Sequence, residues 1–214
     1  ENGVPKAMAV THYAQRATAG LLITEATQVS DKATGYMFTP GLYTEAQARG
    51  WQTVTGAVHA KGGRIFSQLW HTGRVSHTLL QPDGGDPIAP SAVKAETMVF
   101  TPNGFEPPTM PRALVSEEIP TLVDQFAHAA RLAKTAGFDG VEVHGANGYL
   151  IDQFLKDGAN RRKDAYGGDI ANRMRFALEV VTAVVEVWGP GRVGFRISPR
   201  GVFNDMHDSD PVAL

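Results

Sequence analysis

The chain has 214 residues, of which 43% are hydrophobic and 20% are charged, and its formal net charge is −2. This ordinary globular composition provides neither the basic surface that nucleic acid binding requires nor a polybasic membrane signal, and no apolar run approaches the roughly 20 residues of a spanning helix. Cysteine is absent, which excludes disulfides, thiolate catalysis and cysteine-ligated metal sites within the chain, and fits a cytoplasmic setting.

Helical and strand patterns alternate along the chain. Apolar residues at a spacing near 3.6, with glycine after each run, predict four helices: residues 5–19, 44–61, 116–136 and a fourth over 174–188. Short apolar runs between them predict four strands: residues 21–24, 64–70, 138–144 and 192–198. The stripe of the fourth helix is predicted to consist of Met174, Ala177, Leu178, Val181, Val185 and Trp188.

Cap residues mark two of the helix starts. Thr44 and Gln47 have the spacing of a capping box at the start of the second helix. Ser116 is placed to cap the third helix, with Glu117 and Glu118 in its positive first turn.

The stretch from 71 to 115 is rich in proline and glycine and shows no helical period. Residues 99–110 within it are predicted to form a small β-hairpin excursion. No internal repeat or low-complexity tract divides the chain, so we treat residues 1–214 as a single domain. Because the chain starts at Glu1 without a methionine and stops just after an acidic loop, we expect a fragment or one piece of a larger assembly.

Alternating strands and helices predict parallel βα units, either in an open doubly wound sheet or in a (β/α)8 barrel. A dinucleotide-binding sheet would show G-x-G-x-x-G after its first strand, and none of the strand ends has it. The predicted strands end instead in polar residues, as a barrel active site requires: Thr24-Glu25, Gln68, His144 and Arg196. Four strands cannot close a barrel of eight, so the sequence predicts an α/β fold that supplies half to two-thirds of a TIM barrel.

The segment VEVHGANGYL, residues 141–150, places three polar side chains after a buried strand. His144 and Asn147 could both donate to one substrate oxygen on which charge develops. Tyr149 could act as an acid, because its reference pKa of about 10 keeps it protonated at neutral pH. The alternative is that His144 and Asn147 cap the following turn while the ring of Tyr149 packs.

Two further positions carry polar groups on otherwise apolar strands. Gln68 would need partners for both its C=O and its NH₂, which nearby loop backbone or the pyrimidine edge of a flavin or pterin could supply. Arg196 lies within a strand between Phe195 and Ile197, so it is expected to be buried and must be paired or ligand-bound, because burying a lone charge is costly. It would then form an ion pair, with Glu25 or Glu142 for example, or stand beside an anionic cofactor.

No metal site is predicted. The histidines on helices lack a second ligand at i+3 or i+4, and the acidic run DMHDSD, residues 205–210, lacks the glycine and terminal glutamate of a calcium loop.

The block VEVHGANGYLIDQFL followed by NRRKDAYGGDIANRMRF resembles the Old Yellow Enzyme family of FMN-dependent ene-reductases. The segments GLLITEATQVS, GRIFSQLWHTGRVSH and VGFRISP match the family in the same order, so the likeness covers essentially the whole chain. Trp70 and Asn147 are similar to the classical branch, which includes the N-ethylmaleimide and 2-cyclohexenone reductases.

The resemblance implies a role for each site residue. Ala26 would contact the flavin near N5 through its backbone, Gln68 would hold the pyrimidine edge, and Arg196 would lie near N1 and O2. His144, also placed at the cofactor, and Asn147 would bind the substrate carbonyl. The remaining roles are proton donation by Tyr149 and a substrate pocket lined by Tyr36 and Trp70.

The reaction implied by the resemblance is C=C reduction of an α,β-unsaturated carbonyl or nitro compound. NADPH or NADH would reduce FMN, and the substrate would take hydride from flavin N5 and a proton from Tyr149. The family also has a preceding strand and three further βα units that carry the phosphate site. The resemblance therefore implies that this chain supplies roughly strands 2–5 of a TIM barrel with their helices, and that a complementing chain could be required. Related dienoyl-CoA and amine dehydrogenases are the alternative enzymes, but they are expected to carry cysteine-ligated iron–sulfur clusters.

Overall fold

The computed structural model describes residues 2–214, and its centre is a parallel four-stranded sheet. In chain order the strands are β1 (Leu22–Gln28), β2 (Ile65–Trp70), β3 (Ile88–Ala89), β4 (Val99–Thr101), β5 (Gly104–Glu106), β6 (Arg112–Ala113), β7 (Gly140–Gly145) and β8 (Val193–Ile197). The helices are α1 (Ala7–Ala14), α2 (Glu45–His59), α3 (Ile119–Thr135), α4 (Leu150–Leu155) and α5 (Ile170–Trp188). Within these residues no helix is long and apolar enough to cross a membrane.

The order of the central sheet is β1-β2-β7-β8, which is also the order of these strands along the chain. All three neighbouring pairs are parallel. A doubly wound sheet reverses its strand order at a switch point, whereas a barrel adds each unit on the same side. The sequential order therefore matches the predicted barrel segment, and β8 forms one edge of it.

Alternation along the strands separates an apolar face from a polar one. Ile65 and Leu69 of β2 and Val141 and Val143 of β7 are fully buried in the core shared with the helices. The helix residues of that core include Trp51, Val54, Val58, Phe126, Phe176 and Val180. The positions in between, on the other face of the sheet, carry the polar side chains. The helices thus cover one face and leave the opposite face for the site.

The N-terminal elements differ from the prediction in length. Helix α1 ends at Ala14 rather than at residue 19, because the chain continues in tight turns, with Arg16 N–H bonded to the carbonyl of Tyr13 and Ala19 N–H to that of Arg16. Strand β1 continues to Gln28, since its pairing with β2 extends to Trp70. The Thr24-Glu25 pair therefore lies inside the strand and not at its end.

The two predicted caps have opposite outcomes. The capping box of Thr44 and Gln47 is confirmed, with Gln47 N–H donated to Thr44 Oγ1 at 3.3 Å and Thr44 N–H to Gln47 Oε1 at 3.1 Å. Ser116 does not cap α3: its hydroxyl donates to Asp164, and a 3-10 turn over Ser116–Glu118 precedes the helix. The carboxylate of Glu118 accepts the Val115 N–H at 2.9 Å and closes this turn.

The predicted stripe of α5 is confirmed only in part: Ala177 is buried and Met174 and Trp188 pack against the core, but the buried face is rotated relative to the prediction. Leu178 is exposed, and the buried residues of the helix are Arg173, Phe176, Ala177, Val180 and Val184. The buried face of α5 is rotated relative to the predicted one because Arg173 points inward. Its guanidinium pairs with the buried carboxylate of Asp208 and donates to the carbonyl of Leu155 at 2.6 Å. The short helix α4, all of whose residues are buried, was not predicted.

The predicted excursion is confirmed as a hairpin. Strands β4 and β5 are antiparallel, with Phe100 opposite Phe105, and β3 pairs with β6 elsewhere in the stretch from 71 to 115. Val99 and Thr101 are buried, whereas Phe105 is exposed. The base of the hairpin therefore packs inward, against residues of the site.

Candidate active site

Four aromatic rings meet near the carboxyl ends of β2 and β7. Trp70 stacks on Tyr36, with ring centroids 5.9 Å apart and an interplanar angle of 9°. Tyr149 stands perpendicular to Trp70, at 5.0 Å and 87°, and to His144, at 5.1 Å and 82°. Val99 at the base of the hairpin packs against this group. Four of the predicted site residues thus form one cluster.

The Tyr149 hydroxyl donates to the Tyr36 hydroxyl at 3.4 Å. Burial raises the pKa of Tyr149 well above its usual range, and the neighbouring Tyr36 adds to the effect. The phenol therefore keeps its proton at any physiological pH, as a proton donor must.

His144 is neutral at pH 7, because burial first and the charge of Arg196 second lower its pKa to about 4. Its Nδ1 accepts the Ala146 N–H at 3.3 Å. Since Nδ1 accepts, the ring proton resides on Nε2. The arrangement presents one N–H donor on an uncharged ring.

Asn147 is held in a left-handed conformation, with φ 58°. Its N–H donates to Ser198 Oγ at 2.8 Å, and its carbonyl accepts from Asn204 Nδ2 at 2.9 Å. Its side-chain amide makes no hydrogen bond within residues 2–214. Backbone contacts therefore fix Asn147 and leave its side-chain amide for another partner.

A buried ion pair between Asp152 and Lys156 stabilises the turn that contains Asn147. Asp152 Oδ2 accepts the Gly148 N–H at 2.8 Å and lies 3.4 Å from Lys156 Nζ. Lys156 also donates to the carbonyls of Ser198 and Gly201, both at 2.8 Å. The turn after β7 and the loop after β8 are thereby joined.

Gln68 is buried on the polar face, between Ala26 of β1 and Glu142 of β7 in the strand register. Its Nε2 donates to Glu142 Oε1 at 2.6 Å, a partner that was not predicted. Within residues 2–214 no hydrogen bond engages Gln68 Oε1. A buried amide with a spare acceptor fits the donor of a planar heterocycle.

The expectation that Arg196 is a buried charge was wrong. Arg196 is exposed, because β8 is the edge strand of the sheet and no part of residues 2–214 covers it. Neither proposed ion pair forms among the described residues: Glu142 binds Gln68, and Glu25 accepts from the Tyr13 hydroxyl at 3.2 Å. Arg196 instead lies opposite His144 in the β7–β8 register.

The structure adds partners that the sequence reasoning missed. Glu142 was considered only as a partner of Arg196, although it precedes His144 by two and period-2 alternation could have placed it on the polar face beside Gln68. The four-residue spacing of Asp152 and Lys156 was also visible as a helical pair. Asn204 carries no comparable signal, because it reaches Asn147 from a loop 57 residues later. Among residues 2–214 no group of three metal-binding side chains occurs.

The sequence model of the NADH:flavin oxidoreductase / NADH oxidase family matches residues 1–213. Among curated relatives, 12-oxophytodienoate reductase 1 from Oryza sativa subsp. japonica is 50% identical over 212 residues, which cover 99% of this chain and 55% of the relative. The chain thus spans little more than half the length of that relative.

Solved structures give the same result. The structure of morphinone reductase in complex with tetrahydroNAD superposes with a TM-score of 0.96 at 54% identity, covering 99% of this chain and 60% of the other. The Old Yellow Enzyme homologue from Zymomonas mobilis has a TM-score of 0.95 at 44% identity, covering 98% of this chain and 58% of the other. The predicted fold class, a partial TIM barrel, is confirmed.

Proposed function

Since the chain belongs to the NADH:flavin oxidoreductase / NADH oxidase family, which includes the Old Yellow Enzymes, we propose that it supplies the active site of an FMN-dependent ene-reductase. The substrate is an α,β-unsaturated carbonyl or nitro compound, and the reductant is NADPH or NADH. The observation that carries the proposal is the cluster of a neutral His144 and a protonated Tyr149 against the stacked rings of Tyr36 and Trp70.

The residues on the polar face fit FMN. Gln68 offers the pyrimidine ring an acceptor that no group of residues 2–214 engages, and the Ala26 backbone lies beside it in the register. The exposed guanidinium of Arg196 could meet an anionic ring. His144 borders the same region. Bound FMN would supply the transfer of a hydride from the nicotinamide to the β-carbon of the substrate.

Side chains of this protein would bind the substrate oxygen and supply the proton. His144 Nε2–H and the Asn147 amide donate to the substrate oxygen and withdraw electron density from the β-carbon. Tyr149 O–H donates its proton to the α-carbon. Because His144 is uncharged, it polarises the oxygen without giving up a proton itself, and the two donor roles stay separate.

The visible spectrum of the purified chain tests this function. We expect a flavin band that NADPH bleaches under anaerobic conditions and that 2-cyclohexenone restores. A chain that remains colourless after incubation with FMN, or a flavin that 2-cyclohexenone fails to reoxidise, contradicts the proposal.

A second candidate function is that of a subunit that acts only with a complementing chain. The observation in its favour is the open edge of β8, where Phe195 and Ile197 are exposed. A colourless chain that turns yellow only when the rest of a family barrel is added favours this candidate. We also propose a cytoplasmic location and a single domain over residues 1–214, which the lack of cysteine and the absence of repeats support.

A further inference from the structure

Gln68 and Glu142 face each other across β2 and β7, and the contact is chemically one-sided. The two residues are register partners, and Gln68 Nε2 lies 2.6 Å from Glu142 Oε1. A carboxylate only accepts hydrogen bonds, so it must meet the NH₂ end of the amide. The carbonyl Oε1 of Gln68 is therefore turned away from Glu142. An amide, which is nearly symmetric in shape, has been given a defined direction.

A glutamine at position 142 could pair with Gln68 equally well across the strands. A glutamine would also avoid the cost of a half-buried charge on the polar face of the sheet. It would also let the Gln68 amide rotate by 180°, because an amide can both donate and accept. The charge of Glu142 thus contributes direction, which the cross-strand contact alone does not require.

We propose that Glu142 is a positioning residue that fixes Gln68 with its carbonyl oxygen toward the cofactor, so that the site selects a ring with an imide N–H. In a flavin this group is N3–H, and a ring that offers only acceptors there would be rejected. The inference rests on the proposed function, because it concerns how the chain holds FMN. It assigns to Glu142 a task in cofactor selection and none in the reaction itself.

FMN labelled with ¹⁵N at N3 provides the test, because the solvent exchange of N3–H reports directly on its acceptor. In the wild-type chain we expect N3–H to exchange at least about tenfold more slowly than in free FMN, as for other hydrogen-bonded N–H groups. Glu142→Gln should bring exchange back toward that of free FMN and weaken FMN binding by about tenfold. The matched control Glu117→Gln, which removes the same charge at an exposed position, should leave both quantities unchanged.

A variant that weakens binding while N3–H stays protected shows a merely structural contact and overturns the inference. Should Glu142→Gln not fold, Gln68→Met removes the acceptor itself and must abolish the protection; persistence of the protection overturns the inference. If the wild-type chain binds FMN with an unprotected N3–H, the inference fails while the proposed function stands. If the wild-type chain binds no FMN, the proposed function fails and the inference falls with it.

Discussion

The ammonium group of Lys156 is fully enclosed, and it lies 3.4 Å from the equally buried carboxylate of Asp152, one helical turn away. Lys156 also donates to the carbonyls of Ser198 and Gly201, so protein groups take the place of solvent around its ammonium group. Burial raises the pKa of Asp152, and the nearby ammonium opposes that shift. The pair therefore holds the turn that carries Asn147, and each member depends on the other.

Replacing Lys156 with methionine should destabilise the chain strongly, because it leaves the Asp152 charge buried without a partner. We expect a loss of about 3–5 kcal/mol in the free energy of unfolding, the usual effect of breaking a buried pair. Urea denaturation measures it, and Lys163→Met, at an exposed lysine, is the control. A loss equal to that of the control would show that the pair does not stabilise the fold.

Replacing Ser198 with alanine should disturb substrate binding more than it disturbs the fold. The variant removes the acceptor of the Asn147 N–H but leaves the carbonyl of residue 198 for Lys156. One hydrogen bond of about 1 kcal/mol corresponds to roughly a fivefold fall in kcat/KM for 2-cyclohexenone. Steady-state kinetics should place the change in the enone reaction and not in flavin reduction by NADPH. Equal kinetics for Ser198→Ala and wild type would remove Ser198 from this role.

Replacing Tyr149 with phenylalanine should separate the two half-reactions. Its ring would still pack on Trp70 and His144, but the proton donor would be gone. We expect flavin reduction at the wild-type rate and enone reduction slower by about 10²–10⁴-fold. Stopped-flow absorbance follows both steps, with Tyr166→Phe as a control, since that hydroxyl contacts Glu179 on the outer helix. Unchanged enone reduction would show that the proton comes from elsewhere.

The neutral state of His144 predicts a pH dependence of stability. Its pKa is lowered to about 4 in the fold, whereas an unfolded histidine titrates near 6.5. Between these values the unfolded chain binds the extra proton, so stability falls as the pH falls from about 6.5 to 4 and is fully present above 6.5. Buried His71, whose pKa is lowered to about 3, acts in the same direction.

The contribution of His144 is isolated by comparison with His144→Gln. Urea unfolding of both proteins at several pH values should show that the variant loses less stability on acidification than the wild type. Parallel curves would mean that His144 binds protons equally in the folded and unfolded chain, so that burial does not lower its pKa as the structure indicates.

Local sequence signals predicted the features that depend on alternation and caps. The four strands, the Thr44 capping box and the hairpin of residues 99–106 follow from spacings of a few residues. The phase of α5 does not, because Arg173 is turned inward by Asp208, 35 residues later. The exposure of Arg196 likewise depends on strand order and not on its apolar neighbours.

The same division applies to the candidate site. His144 and Tyr149 could be identified from one short segment, and their ring contact follows from the turn between them. The partner of Gln68 required the register between β2 and β7, which no local pattern specifies. The hydrogen bond from Asn204 to the carbonyl of Asn147 depends on a loop conformation in which Asn204 itself has a φ of 58°.

The open edge of β8 also predicts that molecules of this chain associate with one another in solution. An edge strand with unpaired backbone groups and exposed apolar side chains, here Phe195 and Ile197 beside Leu178 of α5, is a template for pairing between molecules. The average molar mass measured by light scattering should therefore rise with protein concentration, and the associated molecules should bind a hydrophobic dye. Specific activities of this chain should then be compared only between samples of equal concentration, because association through β8 would bury the strand that bears Arg196.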